Sequence, residues 1–203
     1  MKKPFAPRTR AAFQAGLAAV GLGMLAIPAL AVGLSGTASA DATWTALRVA
    51  ALEAFTLIIA NIVMGAFRPF FVRMMKARTA HRLHVVTGIA GFALAVAHGL
   101  LAFVFGIAGY RPGLVWVGPA VLVLLAVVIV TALARRRLRR AWRWIHRVNY
   151  LLFAVILAHS LILGYDLRSE TLLKICFGIY AAAVAAGLGY RVAALMRTSS
   201  ANT

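Results

Sequence analysis

The chain alternates long apolar runs with short polar connections. The runs fall at residues 11–34, 44–67, 83–108, 113–134, 147–166 and 171–190. Each is long enough to cross a bilayer as a helix, which takes about 20 mostly apolar residues. A helix satisfies its own backbone hydrogen bonds, as lipid demands. The pattern predicts an all-α, polytopic membrane protein, a bundle of six transmembrane helices. Residues 1–10 form an N-terminal segment, 11–196 the six-span domain and 197–203 a short tail. No Gly/Ser-rich linker or second domain interrupts this order.

Composition sharpens the picture. Of the 203 residues, 63% are hydrophobic and 13% charged, with a mean hydropathy of +0.90. A soluble domain is about 45–50% apolar. Burial does not absorb the surplus, because a domain of this length leaves much of its surface in water. Membrane lipid is the expected solvent for the rest. The single cysteine, Cys176, excludes an internal disulfide and a thiolate metal cluster.

The net charge of +18 invites a nucleic-acid reading, but the placement of the charges opposes it. The connections at 34–43, 108–113 and 164–170 are short and poor in basic residues, whereas 68–82 and 135–147 are rich in them. Of the 22 Lys and Arg, 18 fall in the N-terminal segment, these two basic connections and the residues after the last apolar run, Arg191 and Arg197. The positive-inside rule then puts both termini and both basic connections in the cytoplasm, in an inner or plasma membrane. The charge is topological, with attraction to anionic lipid heads as a by-product. No nucleic-acid partner is expected.

The first run has a competing reading. Basic residues, an apolar stretch and Thr37, Ala38, Ser39 and Ala40 before Asp41 match a signal peptide with a small-residue cleavage site. The stretch is about 24 residues, longer than the usual 7–15 of a signal core, so it is expected to remain as the first span.

The chemical signal lies in the histidines. There are five: His81, His84, His98, His146 and His159. Four of them lie within the third and fifth runs or at their cytoplasmic edges, and ionisable groups inside membranes are rare and usually functional. His84 and His98 are 14 residues apart, about 21 Å of helix rise, and His146 and His159 are 13 apart, about 19.5 Å. The third and fifth spans both run outward. Equal depths therefore give two facing pairs, His84 with His146 and His98 with His159. Two neutral imidazoles across a gap suit the axial positions of a haem iron. Zinc prefers three or four ligands, and copper normally recruits Met or Cys; neither set lies in register. His81 fits no pair and is expected in a solvated loop.

Stepping from His84 along one helix face gives Gly88, Gly91, Ala95, His98 and Ala102. Such a stripe admits a flat macrocycle, with Gly88 and Gly91 as cofactor-binding positions, or else a neighbouring helix. The fifth span fits less simply. Thirteen residues leave His146 and His159 about 140° apart on an ideal helix, so a bend, bulge or tilt, or ligation from the helix start, must supply the difference.

These residues resemble the ferric reductase-like transmembrane superfamily, which includes ferric reductases, NADPH oxidases and the haem-binding membrane subunit of the bacterial methionine sulfoxide reductase system. The resembling features are His84-x13-His98, His146-x12-His159, the stretches RLHVVTG at 82–88 and WIHRVNYL at 144–151, and six spans. The likeness covers about residues 44–166. It implies two stacked b-type haems, with His84, His98, His146 and His159 as axial ligands, and one-electron transfer across the membrane. The oxidases and most ferric reductases carry a flavin and nicotinamide domain after the last span. About 13 residues follow Tyr190 here, so the expected electron donor is a quinol, a flavin or a cytoplasmic reductase. In size the chain is most similar to the sulfoxide-reductase subunit, which passes electrons to a periplasmic molybdenum enzyme. A flavin or quinone bound in addition to haem stays open.

Arg48 and Glu53, in the second span, are five apart and so on opposite sides of a helix. Arg48 has two readings, a clamp for haem propionates or an interfacial arginine snorkelling outward. Arg111 and Arg168 suit haem carboxylates, a quinone or an acidic partner, or simply loop charge. Phe92 and Phe153 fall between the two histidine levels and are expected to be packing residues. Tyr110, Trp116, Trp142, Trp144 and Tyr165 are expected as interfacial anchors. The expected function is a di-haem electron conduit to an outer acceptor, a redox partner protein on the periplasmic or extracellular face. The rivals are a ferric reductase membrane component acting with a separate cytoplasmic reductase and a non-redox, proton-linked transporter.

Overall fold

The structure is a computed structural model that describes residues 6–35, 41–105 and 112–200. Expectations for Lys2, Lys3, the segment 37–40, Tyr110 and Arg111 lie outside the described residues. Eleven helices follow one another among those described: α1 (Pro7–Leu34), α2 (Ala42–Ala66), α3 (Arg68–Met74), α4 (Ala77–Phe105), α5 (Pro112–Val115), α6 (Val117–Leu133), α7 (Arg135–Leu138), α8 (Ala141–Arg147), α9 (Asn149–Leu163), α10 (Tyr165–Ser169) and α11 (Thr171–Ser200). No strand occurs among them.

Six stretches are long and apolar enough to span a membrane: α1, α2, α4, Gly113–Leu133, Ala141–Leu163 and α11. The six-helix all-α architecture is therefore as expected, with several shifted edges. The third span starts at Ala77 instead of 83, and the fifth at Ala141 instead of 147. Both additions come from the basic connections, whose Arg and Lys side chains are good helix formers and reach water from a helix end.

Local chemistry sets several ends. The Asp41 side chain caps α2 by accepting from the backbone N–H groups of Thr43 at 2.8 Å and Trp44 at 3.3 Å. A proline occupies the first turn of α1 and of α3, where its missing N–H is harmless. Arg139 has a φ of 49°, a left-handed conformation that ends α7 and turns the chain toward α8.

The hub is α2. Half of its most apolar window is buried, against 6–28% for the other spans. It packs on α1, α4, α9 and α11, while α6 packs on α4, α8 and α9. Phe55 anchors the core by stacking on Phe177 at 4.4 Å, with Phe153 at 5.8 Å. Phe153 is thus a packing residue, as expected, and Phe92 is packed against the same cluster. Much of what is left outward on the other spans is large apolar side chains, which suits lipid.

Close helix approaches depend on missing side chains. On α11, a Cβ at Gly187 would stand 2.8 Å from the Ala66 Cβ. We expect Gly187→Ala to destabilise the protein by about 1–3 kcal/mol through overpacking. Thermal unfolding in detergent checks this, and an unchanged midpoint would mean that α11 moves aside freely.

Candidate functional site

The histidines are brought together through α2. His84 Nδ1 lies 3.2 Å from the backbone oxygen of Asn61, and His98 Nδ1 lies 3.2 Å from that of Leu47. Asn61 and Leu47 are 14 residues apart, as are His84 and His98, so α2 and α4 run antiparallel in constant register. A backbone oxygen only accepts, so each Nδ1 must donate. In the neutral ring this leaves the Nε2 lone pair free.

Across from α4, the rings of His84 and His146 face one another with centroids 6.0 Å apart and planes at 70°. His159 lies farther along the same span, 13 residues from His146. His159 is placed against α6, where a Cβ at Gly118 would lie 3.5 Å from its Cε1. Gly99 of α4 approaches Leu122 of α6, and His81 near the start of α4 lies 3.5 Å from Arg135 just past the end of α6, so α6 runs antiparallel to α4. The inner pairing, His84 with His146, is the one expected from depth; His98 and His159 lie 14 and 13 residues farther along the same two spans.

The angular mismatch in the fifth span has a local answer. The helix breaks at Val148, between α8 and α9, where the Val148 N–H donates to Ile145 O at 3.0 Å. Residues wound at this 3₁₀ pitch turn about 120° each, against about 100° in an α-helix. The break therefore swings His146 and His159 toward a common side. No Pro or Gly marks this position in the sequence.

Other expected site residues are placed differently. A Cβ at Gly88 would stand 2.9 Å from Asn61 Nδ2, and one at Gly91 would stand 3.2 Å from the Leu57 Cβ and 3.3 Å from Ile58 N. The open side of the small-residue stripe is therefore filled by α2, which corrects the reading of Gly88 and Gly91 as cofactor-binding positions. Arg48 needs the same revision. It is 4% exposed, and its guanidinium pairs with Asp166, with Nε at 3.1 and 3.0 Å from the two carboxylate oxygens. Its Nη2 also donates to Asp166 and reaches Ser35 Oγ at 3.5 Å. A buried bidentate partner outcompetes both a propionate and a snorkelling geometry.

His81 lies on the first turns of α4 instead of in a loop, exposed as expected, with Arg135 Nη1 at 3.5 Å. It shares the rim of a small cavity with Arg68, Gly65 and His84. Trp116, Trp144 and Tyr165 are exposed near span ends, as anchors would be. Trp142 is instead half-buried, with its ring centroid 5.8 Å from that of His146. Arg168 is exposed.

Sequence reasoning missed Asn61, Leu47, Gly65, Gly118 and Asp166. Two signals were present. Asn61 is a polar residue in mid-span, and Asp166 is one of only 4 acidic residues. Asn61 also donates from its side chain to His84 O and reaches Thr87 Oγ1 at 3.3 Å, so it grips both the ring and the backbone of His84.

The donor set can be tested against a metal group. A metal–imidazole bond is about 2.0–2.1 Å, so two axial rings sharing one ion have centroids about 6 Å apart, close to the inner pair. His146 Nδ1 is buried with no hydrogen-bond partner. Among the described residues no group of three or more His, Cys, Asp or Glu converges, so a tetrahedral site has no donors. At the inner level the two imidazoles stand at about the spacing that axial ligation of one ion would need. Compared with known proteins, the chain matches no family model, and no curated protein or solved structure shows significant similarity to it.

Proposed function

We propose that this protein is a b-type di-haem membrane cytochrome that transfers electrons from the cytoplasmic side, or from the quinone pool, to an acceptor on the outer face. The observation that carries this reading is the facing pair His84 and His146, 6.0 Å apart; His98 and His159, 14 and 13 residues farther along the same spans, would form the second pair. His84 and His146 would hold the inner group, and His98 and His159 the outer one. Bound haem supplies one-electron chemistry. The protein's own part is to present neutral imidazoles, to keep the Nδ1 atoms of His84 and His98 occupied on α2, and to surround the histidines with apolar helices that exclude water.

The basic connections set the proposed orientation, with both termini cytoplasmic. In that frame the cavity rimmed by Arg68 and His81 opens on the cytoplasmic side, beside His84, where an anionic donor would approach. The resemblance to the sulfoxide-reductase membrane subunit makes a periplasmic redox enzyme the proposed acceptor. Membranes assayed for methionine sulfoxide reduction and for Fe(III) reduction separate this acceptor from a ferric one.

A reduced-minus-oxidised spectrum of protein from haem-replete cells tests the core of the reading. Paired b-type bands are expected, and their absence would overturn it. Acidification should strip the haem, because imidazole ligates only when deprotonated and protons compete with iron as the pH falls. Retention of full haem content in acid would contradict imidazole ligation.

A further inference from the structure

We propose that α2 fixes the tautomer of both α4 histidines, with Gly65 and Ala51 as the positioning residues that leave its carbonyls open. In an α-helix the carbonyl of residue i already accepts from the N–H of residue i+4. Its second lone pair is reachable from outside only if the side chain at i+4 is small, because each Cβ tilts back over the preceding turn. Four residues after Asn61 stands Gly65, and four after Leu47 stands Ala51. These are the two carbonyls that receive His84 and His98. A Cβ at Gly65 would lie 3.5 Å from Cε1 and 4.0 Å from Nδ1 of His84. Alanine there would make ordinary contact, and alanine is the residue at the equivalent position 51, whereas a larger side chain would take the place of the ring.

The consequence is directional. With Nδ1 held as a donor, Nε2 is the free lone pair of both rings, turned away from α2. No such hold exists at His146, whose Nδ1 is buried without a partner. One side of the inner site is thus pre-set and the other is not. The value of this for haem binding rests on the proposed function, but the tautomer itself does not.

Full-length protein labelled with 15N-histidine, made in cells blocked in haem synthesis and placed in lipid nanodiscs, provides the test. Ring nitrogen shifts are assigned by their loss in His84→Asn and His98→Asn. The wild type should show protonated Nδ1 and bare Nε2 at both residues. Gly65→Leu should abolish this at His84 alone and Ala51→Leu at His98 alone, while Gly65→Ala and Ala51→Gly leave both unchanged. In haem-loaded protein each leucine variant should weaken one haem by about 10–100-fold, the usual effect of losing such an outer partner. A protonated Nε2 in the wild type, or an unchanged His84 in Gly65→Leu, would overturn the proposal, as would disturbance of both histidines by either leucine. Tautomers that respond as expected in a protein that binds no haem would sustain this inference and sink the proposed function. Normal haem content with tautomers indifferent to both leucines would do the reverse.

Discussion

On the proposed di-haem function, His98→Ala and His159→Ala are each expected to halve the haem-to-protein ratio and to leave the spectrum and potential of the remaining haem close to those of the wild type. The two levels are separated by 14 residues of α4, about 21 Å, too far for direct coupling of ligand loss. Both substitutions act on the same outer group, so the double variant His98→Ala/His159→Ala should resemble either single one. The crossed variant His84→Ala/His98→Ala should bind none. Quantification of extracted haem against protein, with a redox titration, reads all of these. Full haem in either single variant would break the pairing. So would a single variant that loses everything, because that would mean one shared site.

The second large effect concerns stability. Arg48 and Asp166 are 4% and 5% exposed and join α2 to α10 across 118 residues of sequence. Arg48→Leu alone or Asp166→Leu alone leaves one charge buried without its partner, which costs about 3–5 kcal/mol. Replacing both by leucine removes the uncompensated charge and should restore stability to within about 1 kcal/mol of the wild type. A double-mutant cycle by denaturant unfolding in micelles measures the difference. Single variants within about 1 kcal/mol of the wild type would mean that water or lipid head groups reach the pair. Arg48 directly follows Leu47, whose carbonyl receives His98, so either single variant should disturb the outer haem more than the inner one.

The spans were legible because lipid imposes a long, unbroken demand: every backbone group must be satisfied within the segment, and about 20 apolar residues must follow in sequence. No tertiary contact is needed to see that. The histidine pairs were legible for a related reason. Helix rise converts sequence spacing directly into depth, so His84 with His98, and His146 with His159, announce two levels before any packing is known. Sidedness was different. The stripe through Gly88 and Gly91 defines a face of α4, but the covering element is α2, and periodicity carries no label for the neighbour. A departure from one ideal helix was required by the angle between His146 and His159, yet nothing in WIHRVNYL places it at Val148; α6, which packs on both α8 and α9, spans the break.

By itself the sequence determined the all-α class, the six apolar helices and the depths at which imidazoles occur. These follow from local rules of rise, length and backbone hydrogen bonding. Only the tertiary structure decided what each side chain meets: Asp166 for Arg48, the carbonyls of Leu47 and Asn61 for His98 and His84, and α2 for the glycine stripe. Those choices join residues far apart in the chain, and they are settled by which helices lie side by side and in what register.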